Sequence, residues 1–377
     1  MVINKYPICH LSSVHRAFDD RILYKECFSL AEFGYNVVLI AGHHTDEMVN
    51  KVKIKGIRSI NNRLLRIFIK PIILFFYVLQ QKTGFIHLHD PELLPIGIAL
   101  KLLGKKVIYD IHELVYHSID DKRYLKIKLV KCIIKQIYLI LERLCIGLFD
   151  SIILAEDGYR DYYYMHYRKF ANKFTLIRNY PVLDFIYPIR PNPRSEHDSF
   201  VLIYAGLLAK TRSIHIIIES LIYCRAPVEL WLLGKWENES YFQQCSELPN
   251  WKQVKYFGML KPEEVYGYMK SADIGIALLL PIKNYLTSLP VKSFEYIACG
   301  IPVIISDFPY YHEVFSDNVR YSDPLNPESI ANNINCLIEQ KHADRCQLVQ
   351  KSLSVIRERN WEREKERLKM LYDNLCG

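Results

Sequence analysis

Several signatures that would decide a function early are missing from this chain. Its ten cysteines, Cys9, Cys27, Cys132, Cys145, Cys224, Cys245, Cys299, Cys336, Cys346 and Cys376, stand singly, with no C-x-x-C pair. Zinc-ribbon and dithiol redox chemistry are therefore unsupported, and free thiols in a reducing cytoplasm are expected. No G-x-G-x-x-G occurs, which counts against a dinucleotide dehydrogenase. The longest apolar run, 71–79, is far short of the roughly 20 residues that span a bilayer. The opening MVINKYPICHLSSV lacks the basic region and long apolar run of a secretory signal. A cytoplasmic protein is expected, soluble or peripheral on the inner face of the cell membrane. The net charge of +8 admits nucleic acid, an anionic membrane surface or phosphorylated ligands. With no arginine-rich tail or nucleic-acid motif, nucleic acid is set aside.

What is present is a long alternation of strand and helix. At 377 residues, half of them apolar, two domains are expected rather than one core. Strands are expected at 3–10, 35–40, 85–88, 106–110, 150–154 and 174–177, and again at 200–205, 228–233, 254–257, 273–280 and 301–305. Helices fall between them, including 21–34, 92–103, 214–224 and 262–270, with 120–149 as one long helix or two broken ones. The first βαβ unit leaves a loop at the carboxyl end of its first strand, where α/β folds bind ligands. Asn179-Tyr180-Pro181 and the Pro-rich polar stretch after it read as an interdomain linker.

The densest local signal is SLPVKSFEYIACGIPVIISD, residues 288–307. Ser288 can cap a helix in whose first turn Pro290 is tolerated. Phe294, Ile297 and Ala298 recur at helical spacing, and Gly300 stands where a left-handed residue ends the helix. The strand after it is apolar throughout, as a parallel strand covered on both faces is. The N–H groups near Val291 and Lys292 suit an anion, and Glu295, one turn on, suits sugar hydroxyls.

This stretch resembles the donor-binding signature of glycosyltransferase family 4, whose fold is GT-B: two doubly wound Rossmann-like α/β domains facing across a cleft. The resemblance implies that Glu295 holds the ribose hydroxyls of a nucleotide diphosphate sugar. The family's first glutamate falls on Thr287, a departure. Gly206-Leu207-Leu208-Ala209-Lys210-Thr211-Arg212 is similar to the family's glycine loop. There Arg212 matches one of two basic residues that clamp the diphosphate, and Leu207 stands at the other. Lys210 or Lys292 is the candidate for the missing charge. Met259 lies in the loop that seats the nucleobase in the family. In the first half, H-x-x-x-D-D-R-I-x-x-K-E resembles the start of bacterial polysaccharide-assembling members and marks His15, Asp20 and Arg21 as acceptor-side candidates. D-x-H-E at 110–113 resembles the motif whose histidine, here His112, sits beside the donor sugar. His87 and His89 are expected on opposite faces of their strand, a poor metal pair, serving packing and loop hydrogen bonds.

Two segments of the first half combine basic and apolar residues: Arg63, Arg66 and Lys70 before 72–76, and Lys128, Lys131 and Lys135 beside a stripe of Val130, Ile134, Ile137, Leu141 and Leu144. Such segments can lie on an anionic membrane. The expected organisation is an acceptor-side domain at 1–180, a linker at 181–198, a donor domain at 199–355 and a helix at 356–377 packing back on the first domain. The implied activity is retaining sugar transfer to a glycan or lipid-linked glycan in cell-surface polysaccharide synthesis. It takes a nucleotide sugar as co-substrate, with no cofactor and no metal, in keeping with the lack of any D-x-D. Two rivals stay open: a non-catalytic partner protein of the same fold, and a nucleotide-sugar epimerase or phosphorylase.

Overall fold

The computed structural model describes residues 7–58, 60, 62–121, 127–194 and 199–376, without the side chains of 63, 64 and 121. It divides into two units, 1–179 with 363–377, and 180–362. Each is a parallel sheet covered by helices on both faces.

The first unit holds β1 (Ile8–Arg16), β2 (Val37–Gly42), β3 (Glu47–Val49), β4 (Val52–Ile57), β5 (Phe85–Leu88), β6 (Lys106–Ile111), β7 (Ser151–Leu154) and β8 (Phe174–Leu176). Their order is β3-β4-β2-β1-β5-β6-β7-β8; only β3 is antiparallel. The order reverses between β1 and β5, so loops diverge there and open a crevice at the strands' carboxyl ends. On one face Cys9, Leu11, Ile86, Leu88, Val107 and Tyr109 pack with the helices Lys70–Leu79, Leu94–Leu102 and Lys128–Leu148. The helix Asp20–Cys27 and residues 363–376 of the last helix, Trp361–Cys376, meet the other face.

The second unit holds β9 (Phe200–Ala205), β10 (Val228–Leu233), β11 (Val254–Gly258), β12 (Ile274–Ala277), β13 (Val303–Ser306) and β14 (Arg320–Ser322) in the order β11-β10-β9-β12-β13-β14. Its switch point lies between β9 and β12. Gly206, Gly234 and Gly258, at or just past the ends of β9, β10 and β11, all have positive φ, which only glycine adopts freely. An ideal Cβ on Gly234 would stand 1.9 Å from the Gly206 carbonyl oxygen. These glycines let the backbones turn away without side chains at the carboxyl edge.

The structure departs from the sequence reading at several boundaries. β1 runs on to Arg16 because Leu11 to Ser13 stay buried; residues 3–6 of the expected first strand lie outside the described residues. The β3–β4 hairpin was not expected. Of the two alternatives for 120–149 the broken one is found, although its first helix starts earlier, as Val115–Asp121 and Lys128–Leu148. Pro290, not Ser288, occupies the cap position of the helix Val291–Ala298. The expected linker is not a free tether: Tyr180, Leu183 and Ile186 lie in the second unit's core, and the Asn192 N–H donates to the Gly267 carbonyl.

Candidate functional site

In the second unit, the helix Val291–Ala298 is anchored from β9. The Ala205 N–H donates to the Tyr296 hydroxyl at 2.9 Å, which ties the helix to the end of β9. Glu295 is 3% exposed, and both its oxygens are engaged, Oε2 by Lys292 Nζ at 2.5 Å and Oε1 by the Tyr266 hydroxyl at 3.2 Å. A buried carboxylate needs such partners. The Lys292 stem passes Gly206, its Cε 3.7 Å from where a Cβ would sit. One ammonium therefore spans the glycine loop and the carboxylate. Arg212 ends the turn Lys210–Arg212, with its guanidinium 4.8 Å above the Tyr285 ring; stacking of this kind pre-orients the planar fork. Ser213 takes a left-handed conformation to start the next helix.

The remaining donor candidates of this unit are more open. Lys210 is exposed, and its backbone N–H donates to Glu237 Oε2. Leu207 and Met259 project into solvent, and Thr287 is exposed after the short helix Lys283–Leu286. Ser288 and Val291 are half-buried. The structure thus brings Gly206, Lys292 and Glu295 together. Tyr266 and Tyr285 were missed, since a tyrosine distant in sequence gives no local signal.

In the first unit, Asp110 at the end of β6 is the hub. Arg21 forks onto it, Nε to Oδ2 and Nη2 to Oδ1, both at 2.9 Å. His112 Nε2 lies 2.6 Å from Oδ2. The charges of Arg21 and His112 outweigh burial and hold the Asp110 carboxyl well below its usual range. His15 Nδ1 meets Asp19 Oδ2 at 3.0 Å, and its ring stands 5.5 Å from that of His112. Burial opposes protonation of His15, yet its hydrogen bond to Asp19 and the charges of Asp90, Asp19 and Asp110 raise its pKa. Asp19 is lowered in turn: burial is outweighed by the His15 hydrogen bond and charge. Asp90 binds the tip of β1, accepting from the Ser12 hydroxyl at 2.8 Å and the Ser13 N–H at 2.7 Å.

His15, Arg21 and His112 therefore converge, whereas Asp20 does not. Asp20 pairs with Lys25 at 2.6 Å and is largely exposed; Asp19 is the acid that faces His15. Asp19 also caps the helix Asp20–Cys27, accepting from the Arg21 and Ile22 N–H groups. That helix opens wide, with Tyr24 N–H reaching the Asp19 carbonyl at 3.4 Å, a winding found often at functional sites. A larger correction concerns His87 and His89. Residues two apart on a strand share a face, and the two rings stack at 4.5 Å and 15°.

Comparison with known proteins follows this geometry. Residues 187–352 match the family model described as "Glycosyl transferases group 1". Curated protein sequences give no match. Among solved structures, sucrose-phosphate synthase from Thermosynechococcus elongatus is similar at TM-score 0.76 and 15% identity, covering 99% of both chains. Anabaena Alr3699/HepE, solved with UDP and glucose, is similar at TM-score 0.74 and 12% identity, over 98% of this chain and 100% of that one. The Escherichia coli structure described as trehalose-6-phosphate bound with UDP-2-fluoro glucose gives TM-score 0.72 and 10% identity, over 97% and 99%. The fold is that of the GT-B glycosyltransferases. At these identities the likeness is one of fold; among the sites described above, the family match covers only those of the second unit.

The basic segments also resolve. Lys70 is buried, its ammonium donating to the Ser13 carbonyl at 2.6 Å. Arg66 pairs with Glu92 at 3.0 Å. Lys135 is 14% exposed and pairs with Asp120, and Lys131 donates to the Asp120 carbonyl. Lys128 is exposed, while the Arg63 side chain lies outside the described residues. These cations mostly serve internal contacts. What is exposed instead is apolar. Leu129, Ile133, Ile137, Ile140, Leu144 and Leu148 form an outward stripe at helical spacing. Phe68, Ile72 and Phe76 are exposed as well. Val130, Ile137 and Leu144 of the expected stripe are exposed, while Ile134 and Leu141 help close the core. Among the described residues no helix is long and apolar enough to cross a membrane.

Proposed function

We propose that this chain is a retaining glycosyltransferase that moves a hexosyl group from a nucleotide diphosphate sugar to a hydroxyl of a glycan or lipid-linked glycan, in assembly of a cell-surface polysaccharide. The observation that carries this reading is Lys292, which stands between the Gly206 backbone and the buried Glu295 carboxylate. A donor entering there meets cations for its diphosphate and a carboxylate for its ribose hydroxyls. As the glycosidic bond breaks, negative charge gathers on the departing diphosphate; Arg212, Lys292 and the N-terminus of the helix Val291–Ala298 stabilise it. These groups carry the chemistry without a metal. His112 is assigned to the donor sugar and His15 and Arg21 to the acceptor side, as the resemblance implies. UDP-sugar complexes of proteins with the same fold support a nucleotide sugar as donor.

The test is a thermal-shift panel of nucleoside diphosphates and their sugars. A ligand at a hundred times its Kd adds about 2.7 kcal/mol of stability. One base should raise the melting temperature as diphosphate and as sugar conjugate; no shift with any member would overturn the reading. Release of nucleotide that depends on an acceptor separates transfer from epimerisation or a non-catalytic role.

A lipid-linked acceptor is favoured by the apolar outer faces of the helices Lys70–Leu79 and Lys128–Leu148, which we assign to seating on the inner membrane surface. Because most of these cations are engaged internally, apolar burial rather than charge drives that seating. Co-flotation with neutral vesicles should persist at high salt and be lost in Ile137→Ser/Ile140→Ser. Binding confined to anionic lipid, or none, would refute it.

A further inference from the structure

We propose that His10, Glu26, His87 and His89 form a closed four-ligand site for a divalent transition metal ion, with zinc the best match, lodged inside the first unit. All four side chains are fully buried, and one ligand atom from each lies within 4.8 Å of the others. Glu26 Oε2 is the centre of the group: His87 Nε2 stands 3.7 Å away, His89 Nε2 3.9 Å and His10 Nδ1 3.9 Å. His10 Nδ1 and His89 Nε2 are 2.9 Å apart. Tetrahedral zinc with bonds of 2.0–2.1 Å separates its ligand atoms by about 3.3 Å. The observed distances bracket that value, so small side-chain rotations close the shell.

The second observation is unmet hydrogen bonding. Of the atoms facing this point, His87 Nε2 and both Glu26 oxygens make no hydrogen bond, although Arg21 Nε approaches Oε1 at 3.1 Å. Buried polar atoms are almost always partnered, and an imidazole nitrogen and a whole carboxylate left unmet around one point call for an occupant. The surroundings suit a metal shell. His87 Nδ1 meets the Tyr372 hydroxyl at 2.8 Å, and His89 Nδ1 faces Asp110 Oδ2 at 3.4 Å. Each leaves Nε2 as the ligating atom, the second-shell arrangement of histidine metal sites. Arg21 and Asp110 neutralise one another, so the ion and Glu26 add a net single charge. Three imidazoles and a carboxylate with no open position describe a structural site rather than a catalytic one. It would tie β1, β5 and the wide helix Asp20–Cys27 together, with the last helix held through Tyr372. The cluster of His89, Asp110 and His112 is the weaker alternative, because Arg21 already forks onto Asp110.

The test uses the full chain, made in zinc-supplemented medium without a metal-affinity tag. Elemental analysis should find about one zinc per chain, and cobalt exchange should give the strong visible bands of tetrahedral coordination. Glu26→Gln and His87→Gln should lose both signals, and His112→Gln should keep them. Tyr372→Phe should bind cobalt about 10–100-fold more weakly. If the ligand variants fail to fold, X-ray absorption of the wild-type zinc form decides, with a nitrogen and oxygen shell expected and a sulfur shell overturning the site. Folded wild-type protein that holds no metal and takes up no cobalt refutes the proposal, leaving a carboxyl proton on Glu26 as the occupant. Metal retained by both Glu26→Gln and His87→Gln would refute it as well.

Discussion

Glu295→Gln isolates the proposed ribose contact. The substitution keeps shape and volume and removes only the charge. In the parent, Glu295 accepts from Lys292 and Tyr266, so ribose hydroxyls must share or displace those donors. Hydrogen bonds to a charged group contribute about 1.5–3 kcal/mol each. Losing one such increment corresponds to roughly 10- to 150-fold in Kd. The cost to the fold should be small, because Lys292 is 36% exposed and can turn to water when its partner is lost. A partly exposed pair of this kind contributes at most about 1 kcal/mol. Isothermal titration of the best nucleotide from the thermal-shift panel, with urea unfolding in parallel, measures both quantities. The expected outcome is a Kd raised at least tenfold with little change in the unfolding midpoint. The corresponding 2′-deoxynucleotide should bind parent and variant more nearly alike. Equal affinity of parent and variant for the ribonucleotide would mean that Glu295 only anchors Lys292 and Tyr266, and the donor site would have to be drawn elsewhere.

Arg212→Ala should slow donor turnover and weaken diphosphate binding while sparing the free nucleoside, read by product formation and titration; equal loss for both would assign Arg212 to holding the Tyr285 loop. Gly234→Ala should lower the denaturation midpoint more than Gly206→Ala. Both lose a positive-φ glycine, at about 1–3 kcal/mol, but only at Gly234 does the added carbon meet backbone, at 1.9 Å against 3.5 Å from the Tyr204 hydroxyl at Gly206. Stability should also depend on pH through His15 and Asp19. His15 is raised in the fold, so its contribution is complete below its unfolded value of about 6.5 and is lost as pH rises through the folded one. Asp19 is lowered, so its contribution is present above about 3.9 and fades as pH falls. Unfolding midpoints should therefore decline as pH rises above about 6.5 in the parent and stay flatter in His15→Gln; parallel profiles would refute the pairing.

The strand ladder was legible because hydrophobic runs ended at glycines and prolines. β5, β9 and β10 begin and end where their apolar residues do, since a buried parallel strand has no polar face to blur its limits. The β3–β4 hairpin was not legible: Val52 and Ile54 are buried but Lys53 is exposed, and so short an alternation between charged residues reads as loop. Whether 120–149 holds one helix or two stayed open, because charged and apolar residues run from 120 to 146 with no glycine or proline to mark an end. The expected linker was misread for the opposite reason. Its prolines signalled a tether, yet Leu183 and Ile186 carry enough apolar surface to dock on the second unit.

The sites were legible where a motif is contiguous and obscure where it is assembled. Gly206, Arg212, Lys292 and Glu295 sit in two short stretches, so their chemistry could be read along the chain. The first unit's site is built across β1, β5 and β6, from residues as far apart as Ser12 and Asp90 or Arg21 and Asp110. No spacing rule reports such pairs. Charge was the least legible property of all. Lys70, Arg66 and Lys135 read as a surface for anionic lipid, yet each is turned to a carbonyl or carboxylate of its own unit. A charged side chain that closes a helix end or a strand tip looks the same in sequence as one that faces solvent. Apolar residues are the better guide to that face, because Ile137 and Ile140 are exposed to solvent. The electrostatic and apolar accounts of membrane seating thus part on a measurable point: salt weakens the first and leaves the second intact.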